Sequence, residues 1–292
     1  MIAGSLIDGM RFDGLWVSDH YFNRSSFITL TLIALNTRRV VLGPAVVNPY
    51  TTHPAVIAQN VSTLQEVAKG RVRLALGAGD KLALGRIGVE REKPVEAVVN
   101  AVNLVRRFLT HSGRVDVYIG AQGERMLRAS TEAADGVLVN WSSFEMLEKS
   151  ARILSDNLAK TFHKAAYVIT SVHEDEAKAR KTAVPYAAYL MAGSSQKHLE
   201  RMGIGEDFRK RVQQLLEMNR WDELYQVSTG SWVDEFAFWG SFKKLEEFSS
   251  AVLDMGYDEI VFAGPLGPRY LHALKTLSLI CRRMRRERVG VG

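Results

Sequence analysis

Polar residues that could take part in proton or hydride chemistry stand directly after short apolar runs. Asp19 and His20 follow one such run, and Gly79 and Asp80 follow another, Val72–Leu76. A carboxylate or an imidazole can act as a general acid or base when it lies within hydrogen-bonding reach of a substrate. A structural interpretation stays open in both places. Asp19 and His20 could form a helix cap or a surface turn, and Asp80 could cap the next helix.

A third apolar run ends in a segment that does not suit regular strand pairing. The run Val40–Val47 contains Gly43 and Pro44, and it is followed by Asn48 and Pro49. Two prolines and a glycine disturb a strand and favour a bulge or a bend. The segment therefore predicts a bulge beside a ligand, with a plain loop entry as the alternative.

A glycine-rich turn follows a fourth run, Val115–Ile119, and precedes a stretch of helical periodicity. The turn consists of Gly120, Ala121, Gln122 and Gly123. Such a turn at the start of a helix presents unpaired N–H groups and the positive end of the helix dipole to an anion. At the end of a strand it predicts a site for a phosphate group.

The elements that would position these polar residues and glycines are strands that alternate with helices. Seven short β-branched runs alternate with amphipathic stretches of helical period. The strand runs are Leu15–Ser18, Val40–Val47, Val72–Leu76, Val115–Ile119, Gly136–Asn140, Ala166–Ser171 and Glu259–Phe262, and the helical stretches before the sixth run are 25–36, 54–68, 93–109, 124–134 and 144–160. Repeated strand–helix units predict a parallel sheet with helices outside it. In a closed barrel of this kind the carboxyl ends of the strands form the active face.

The predicted fold class is α/β, a TIM-type (β/α)8 barrel that lacks its first strand. The chain opens with a helical pattern over Met1–Met10, so the missing eighth strand would be the first. Residues 173–256 have the pattern of several helices and predict a helical insertion before the last strand, within a single domain of residues 1–292. A doubly wound open sheet is the alternative, although the G-x-G-x-x-G turn typical of that fold does not occur here.

Composition and charge exclude several classes of protein. The single cysteine, Cys281, rules out an internal disulfide, and the seven histidines lack paired spacing, so no metal site is expected. Without an apolar run of roughly 20 residues or a signal-peptide pattern, we expect a cytoplasmic protein with no membrane partner. Much of the net charge of +6 comes from arginines near the end of the chain. No recognition motif accompanies them, so a nucleic-acid partner is not expected.

The four strand ends, taken in order, resemble a known superfamily. The matching segments are WVSDHYFNR, VVLGPAVVNPYTTHPAVIA, LALGAGDK, VYIGAQGERML, ADGVLVNWS and VFAGPLGP. They are similar to the luciferase-like superfamily of flavin and deazaflavin enzymes. Within it they most resemble the archaeal methylenetetrahydromethanopterin reductases, which use coenzyme F-420. The resemblance covers nearly the whole chain.

The resemblance implies a barrel that holds a deazaflavin ring at its strand ends. A cis peptide bond between Ala45 and Val46 would form a bulge behind the ring, and the turn Gly120–Gly123 would take the cofactor phosphate. The reaction implied is hydride transfer from reduced F-420 to a C1-carrying tetrahydropterin, a step of one-carbon metabolism. Catalysis would fall to Asp80, as the acid, and to His20. The residues that the resemblance places around the ring are Asp19, His20, Asn48, Gly79 and Asp80.

Three other functions stay open on the same barrel. The chain could be an FMN-dependent monooxygenase, an F-420-dependent dehydrogenase of a small alcohol or sugar phosphate, or a non-catalytic homologue. Members of the family also carry a carboxylate on a first strand, and the helical pattern at Met1–Met10 offers no counterpart. Finally, the stretch 25–36 is apolar on more than one face, which predicts a homo-oligomer.

Overall fold

The computed structural model describes residues 7–10, 12–20, 23–109, 113–155 and 161–289. The chain folds as two compact units. Unit 1 comprises Met1–Val139 and Arg152–Ala165, and unit 2 comprises Asn140–Ala151 and Ala166–Gly292.

Unit 1 alternates parallel strands with helices, as the sequence predicts. Strand β1 pairs in parallel with β2, and β3 pairs in parallel with β4, which pairs in parallel with β5. Two isolated bridges, Leu42 to Val72 and Val47 to Leu76, link the β2 segment to β3. The elements are β1 (Gly14–Val17), α1 (Ser26–Leu35), β2 (Val41–Pro44), α2 (Pro54–Val67), β3 (Arg73–Leu76), α3 (Lys81–Arg86), α4 (Pro94–Phe108), β4 (Asp116–Ala121), α5 (Glu124–Ala133) and β5 (Gly136–Val139).

Unit 2 is mainly helical. Helix α6 (Phe144–Ser155) and strand β6 (His163–Val172) contribute residues to both units, and β6 pairs with β7 (Phe238–Gly240) in parallel and with β8 (Glu259–Leu266). The remaining helices are α7 (Glu176–Gly193), α8 (Gln196–Arg201), α9 (Glu206–Glu217), α10 (Trp221–Val227), α11 (Trp232–Phe236), α12 (Phe242–Asp254) and α13 (Tyr270–Val289).

The predicted count of seven strands is wrong, because the described residues contain eight. The additional strand, β7, lies inside 173–256, where only helices were expected. It has three residues, too few to show the alternation that marks a strand in a sequence. Residues 7–10 are helical, as the opening pattern predicts. Residues 1–6 and 11 lie outside the described residues, so the predicted absence of a strand there is not tested.

Rings in unit 1 pack over glycines of neighbouring strands. A Cβ atom added to Gly43 would lie 2.4 Å from the Trp16 ring, and one added to Gly136 would lie 2.5 Å from the Tyr118 ring. The Trp16 and Tyr118 rings meet edge to face with centroids 5.4 Å apart, and Tyr118 meets His163 in the same way at 5.6 Å. The glycines thus make room for a layer of aromatic side chains.

Arg71 joins three successive elements of unit 1. It lies just before β3, and its guanidinium donates hydrogen bonds to the carbonyl oxygens of Val40 at 2.6 Å, Thr37 at 3.0 Å and Ala34 at 3.4 Å. Ala34 lies in the last turn of α1, where carbonyl groups lack the N–H partner four residues ahead that they have inside a helix. A cation there also interacts favourably with the helix dipole. Arg71 therefore fixes the end of α1 and the start of β2 against β3.

The part of the chain that the structure describes contains neither a transmembrane helix nor a cluster of metal-binding side chains. None of its helices is long and apolar enough to cross a bilayer. None of its histidine, cysteine, aspartate and glutamate side chains belongs to a group of three or more that could hold a metal ion.

Candidate active site

The segment after β2 changes its pairing partner at the predicted bulge. The Ala45 N–H donates to the carbonyl of Val17, the last residue of β1, at 2.9 Å, whereas the Val47 N–H donates to the carbonyl of Ala75 in β3 at 2.9 Å. The peptide bond between Ala45 and Val46 is cis, so this prediction is confirmed. Val46 therefore stands between the two sets of strand hydrogen bonds.

The Val46 side chain lies over two glycines at the ends of neighbouring strands. A Cβ atom added to Gly77 would lie 2.7 Å from Val46 Cγ2, and one added to Gly120 would lie 2.5 Å from Val46 Cγ1. These distances are far below van der Waals contact, so only glycine fits at either position beside this valine. The structure thus brings together two predicted site residues, Val46 and Gly120, on an apolar surface at the strand ends.

Asn48 and Gly79, two of the predicted site residues, are also in direct contact. The Asn48 side chain is buried, and its Oδ1 accepts hydrogen bonds from the N–H and the hydroxyl of Thr51, both at 3.1 Å. Gly79 has a φ of +68°, a conformation that favours glycine. A Cβ atom on Gly79 would lie 3.2 Å from Asn48 Cγ. The amide of Asn48 is therefore held against the backbone of Gly79.

Asp80 caps the helix that follows it. Its Oδ1 accepts hydrogen bonds from the N–H of Leu82 at 2.7 Å and of Ala83 at 3.4 Å, at the start of α3. The structural interpretation of this residue is therefore correct. The same oxygen accepts both bonds, so the cap leaves the second carboxylate oxygen, Oδ2, for another role. Capping and acid catalysis are compatible at this position.

Asp19 and His20 lie between β1 and α1, and both are half-buried. Asp19 Oδ1 accepts a hydrogen bond of 2.5 Å from the hydroxyl of Ser26, a buried residue in the first turn of α1. The His20 carbonyl accepts a hydrogen bond from the N–H of Asn23 at 2.8 Å. Their proposed roles at a cofactor remain predictions.

The glycine-rich turn opens a helix, as the sequence predicts. Strand β4 ends at Ala121, Gln122 follows, and Gly123 is the N-cap residue of α5 without a side-chain cap. The Gly123 carbonyl accepts hydrogen bonds from the N–H groups of Met126 and Leu127, each at 3.0 Å. The N–H groups of the two helical residues before Met126 have no helical carbonyl to bind, so they can bind an anion.

Sequence reasoning missed a loop that contacts two of these strand ends. Arg91 Nη1 donates to the Gly79 carbonyl at 2.9 Å, and the Tyr50 hydroxyl donates to the Glu92 carbonyl. Burial raises the pKa of the Tyr50 phenol, so the hydroxyl keeps the proton that it donates. The loop lies between two helices rather than after a strand, and its composition gave no signal of these contacts.

A titratable pair in unit 2 was also missed. His198 Nε2 lies 3.5 Å from Glu235 Oε1, and both side chains are about one-sixth exposed. Burial lowers the pKa of His198, and the nearby cations Arg201 and Lys149 lower it further. Burial raises the pKa of Glu235. Burial is the largest cause in both cases, so each group is shifted toward its neutral form.

Comparison with family models identifies the family to which this chain belongs. A family model described as luciferase-like monooxygenase matches residues 6–256. The chain belongs to this family. The predicted resemblance is confirmed, and the luciferase-like match includes every strand end described above.

Relatives of the luciferase-like chain include named reductases. It is 33% identical to the 5,10-methylenetetrahydromethanopterin reductase of Archaeoglobus fulgidus, over 90% of this chain and 88% of that protein. The enzyme of the same name from Methanolobus tindarius is 30% identical, over 93% of this chain and 92% of that protein. The solved coenzyme F-420 dependent tetrahydromethanopterin reductase from Methanopyrus kandleri has a TM-score of 0.81 and 25% identity, covering 95% of this chain and 92% of that one. The match confirms the predicted α/β class and the luciferase-like barrel.

Proposed function

We propose that this chain is a coenzyme F-420-dependent oxidoreductase that transfers hydride between reduced deazaflavin and a C1-carrying tetrahydropterin. The proposal assigns residues 1–292 to one luciferase-like domain, with 173–256 as an insertion. The observation that carries it is the convergence of Asn48, Gly79 and Asp80 at neighbouring strand ends. The reductases described above, which match nearly the whole chain, support the choice of cofactor and substrate.

The residues at the strand ends fit such a cofactor. Val46, seated on Gly77 and Gly120, offers an apolar surface against which a planar ring can pack. The N–H groups at the start of α5, after Gly123, can bind a phosphate group. When bound, a reduced deazaflavin supplies the hydride, while the protein supplies position and electrostatics.

Asp80 is the residue that we propose as the acid. Its Oδ1 is held by the N–H groups at the start of α3, which fixes the carboxyl group and leaves Oδ2 to hold a proton. Opening a methylene bridge between two nitrogens requires protonation of one of them. We propose that His20 lies at the cofactor, with Asp19 and Asn48 nearby.

The proposal is tested by titration and turnover of the purified protein. We expect saturable binding of F-420, seen by its fluorescence, with weaker binding of FMN, and hydride transfer from reduced F-420 to methylenetetrahydromethanopterin. Asp80→Asn should leave cofactor affinity nearly unchanged and lower turnover by roughly 10²–10⁴-fold. Asp207→Asn, at an exposed position in the first turn of α9, is the control and should behave as wild type. Binding of FMN alone, or of neither cofactor, would contradict the proposal.

We also propose that the chain forms a homo-oligomer through α1. This helix buries Leu30 and Ala34 on one face but exposes a stripe of apolar side chains on another face. The stripe consists of Ile28, Leu32 and Leu35, which are 67%, 51% and 69% exposed. A second copy of the chain that covers this stripe would remove its apolar surface from water.

A further inference from the structure

We propose that Arg91 is a positioning residue of this active site, and that its guanidinium fixes the turn at Gly79 and Asp80. The inference rests on the proposed function, because that function assigns chemistry to Asp80. Arg91 itself lies in the loop between α3 and α4 and is half-buried.

The contact of Arg91 acts on the peptide group that orients Asp80. Its Nη1 donates a hydrogen bond of 2.9 Å to the Gly79 carbonyl, and a charged donor makes such a bond stronger than a neutral one. That carbonyl shares a planar peptide unit with the N–H of Asp80. Holding the carbonyl therefore fixes the plane from which the Asp80 side chain departs, next to a glycine whose φ of +68° leaves the backbone otherwise adaptable.

The loop that carries Arg91 is fastened independently of this contact. The hydroxyl of Tyr50, two residues after Asn48, donates to the carbonyl of Glu92. On its other side, Lys93 adopts a left-handed conformation with a φ of 39°, and Pro94 begins α4. The loop is thus joined to the segment after β2 and to a helix, so Arg91 can act as a fixed donor to the segment after β3.

The same contacts determine what Arg91 does to the rest of the site. Asn48 packs against Gly79, Tyr50 holds Glu92, and Arg91 returns to the Gly79 carbonyl. The loop therefore closes a ring of contacts around the two strand ends that carry Asn48 and Asp80. Loss of a contact that only anchored the loop would lower stability alone. Loss of a contact in this ring would also shift the carboxyl group of Asp80.

The test compares Arg91→Met, which removes the donor but keeps a long side chain, with Arg91→Lys, which keeps a donor. Arg107→Met, at an exposed position on α4, makes the same chemical change away from the site and is the matched control. We expect Arg91→Met to lower kcat by roughly 10- to 100-fold with little change in KM, as a small misplacement of a catalytic group does. Arg91→Lys should recover most of the loss, and Arg107→Met should match wild type.

Hydrogen exchange provides a readout that does not depend on turnover. The amides of Leu82 and Ala83 are bound by Asp80, so their exchange should become several-fold faster in Arg91→Met and stay unchanged in Arg107→Met. Unchanged exchange in Arg91→Met would overturn the inference, even if the wild-type protein proved inactive with F-420. In an active enzyme, unchanged kcat in Arg91→Met, or equal losses in Arg91→Met and Arg91→Lys, would overturn it as well. An inactive wild type with faster exchange in Arg91→Met would refute the proposed function but retain the positioning contact.

Tyr50→Phe supplies a second test of the same ring of contacts. This change removes the hydroxyl that donates to Glu92, and it should lower kcat as Arg91→Met does. If both residues act through one loop, the double variant Arg91→Met/Tyr50→Phe should lose little more than the worse single variant. Additive losses would show that the two contacts act separately.

Discussion

The Val46 side chain packs over two glycines, and an alanine at either glycine would clash with it. We expect a smaller side chain at position 46 to relieve one of these clashes and not the other. In Gly120→Ala the new Cβ would lie 2.5 Å from Val46 Cγ1, while the next nearest atoms are Val46 Cβ at 3.7 Å and the Leu76 carbonyl oxygen at 3.8 Å. Two carbon atoms normally approach to about 3.5–4.0 Å, so the structure must give by about 1 Å. Overpacking of this kind costs about 1–3 kcal/mol.

Gly77→Ala produces a clash of the same size with a different geometry. The new Cβ would lie 2.7 Å from Val46 Cγ2, but it would also lie 2.9 Å from Val46 Cβ. Val46→Ala removes both γ carbons and keeps Cβ. The clash at Gly120 therefore disappears in the Val46→Ala background, whereas the clash at Gly77 persists.

The assay is urea unfolding of the five variants Val46→Ala, Gly120→Ala, Gly77→Ala and the two doubles. Val46→Ala alone should cost about 1–2 kcal/mol, from roughly 0.8 kcal/mol for each carbon removed. Adding Gly120→Ala to it should cost close to nothing, so that pair should couple by about 1–3 kcal/mol. Adding Gly77→Ala should cost nearly as much as in the wild type. Equal coupling at the two glycines, or none at Gly120, would refute this account of how Val46 is seated.

Four further predictions concern other parts of the chain. Asp80→Ala should unfold about 1 kcal/mol more easily than Asp80→Asn, because asparagine can still cap α3, and equal unfolding curves would contradict the cap. His198 has a folded pKa below its unfolded value, so wild type should lose stability as the pH falls below about 6.5, and His198→Asn should gain relative to it between pH 7 and 5. Glu235→Gln should gain stability relative to wild type as the pH rises above about 4.5, because burial raises the folded pKa of Glu235 above its unfolded value. Thermal unfolding between about pH 4 and 7 measures both variants. Leu32→Glu should reduce the molar mass measured by light scattering, and an unchanged mass would place the contact elsewhere.

Much of the site was predictable because parallel strands end at the same edge of a sheet. That rule places Asn48 and Gly79, which are 31 positions apart in the sequence, at neighbouring strand ends, and in the structure the two residues are in contact. The bulge at Ala45–Val46 was predicted from the prolines around it and from the family resemblance. The sequence could not decide between a helix cap and an acid at Asp80, because a carboxylate between a strand and a helix suits either role.

The parts that escaped prediction lack a local pattern. Strand β7 has three residues and α11 has five, which is too short for either periodicity to appear. Arg91 lies in a loop, and its contact with Gly79 depends on how α3 and α4 return the chain to the strand ends. The proximity of His198 and Glu235 likewise depends on tertiary packing between helices that are separate in the sequence.

The hydrogen bonds of Arg71 have a consequence for the order of folding. Its guanidinium reaches carbonyl groups of Val40, Thr37 and Ala34, which precede it by 31, 34 and 37 residues. Closing loops of this length has an entropic cost that must be met before the contact contributes anything. The carbonyl groups at the end of α1 and at the start of β2 should therefore gain these hydrogen bonds only when the β3 segment docks. During synthesis, those carbonyl groups would lack this donor until Arg71 had left the ribosome.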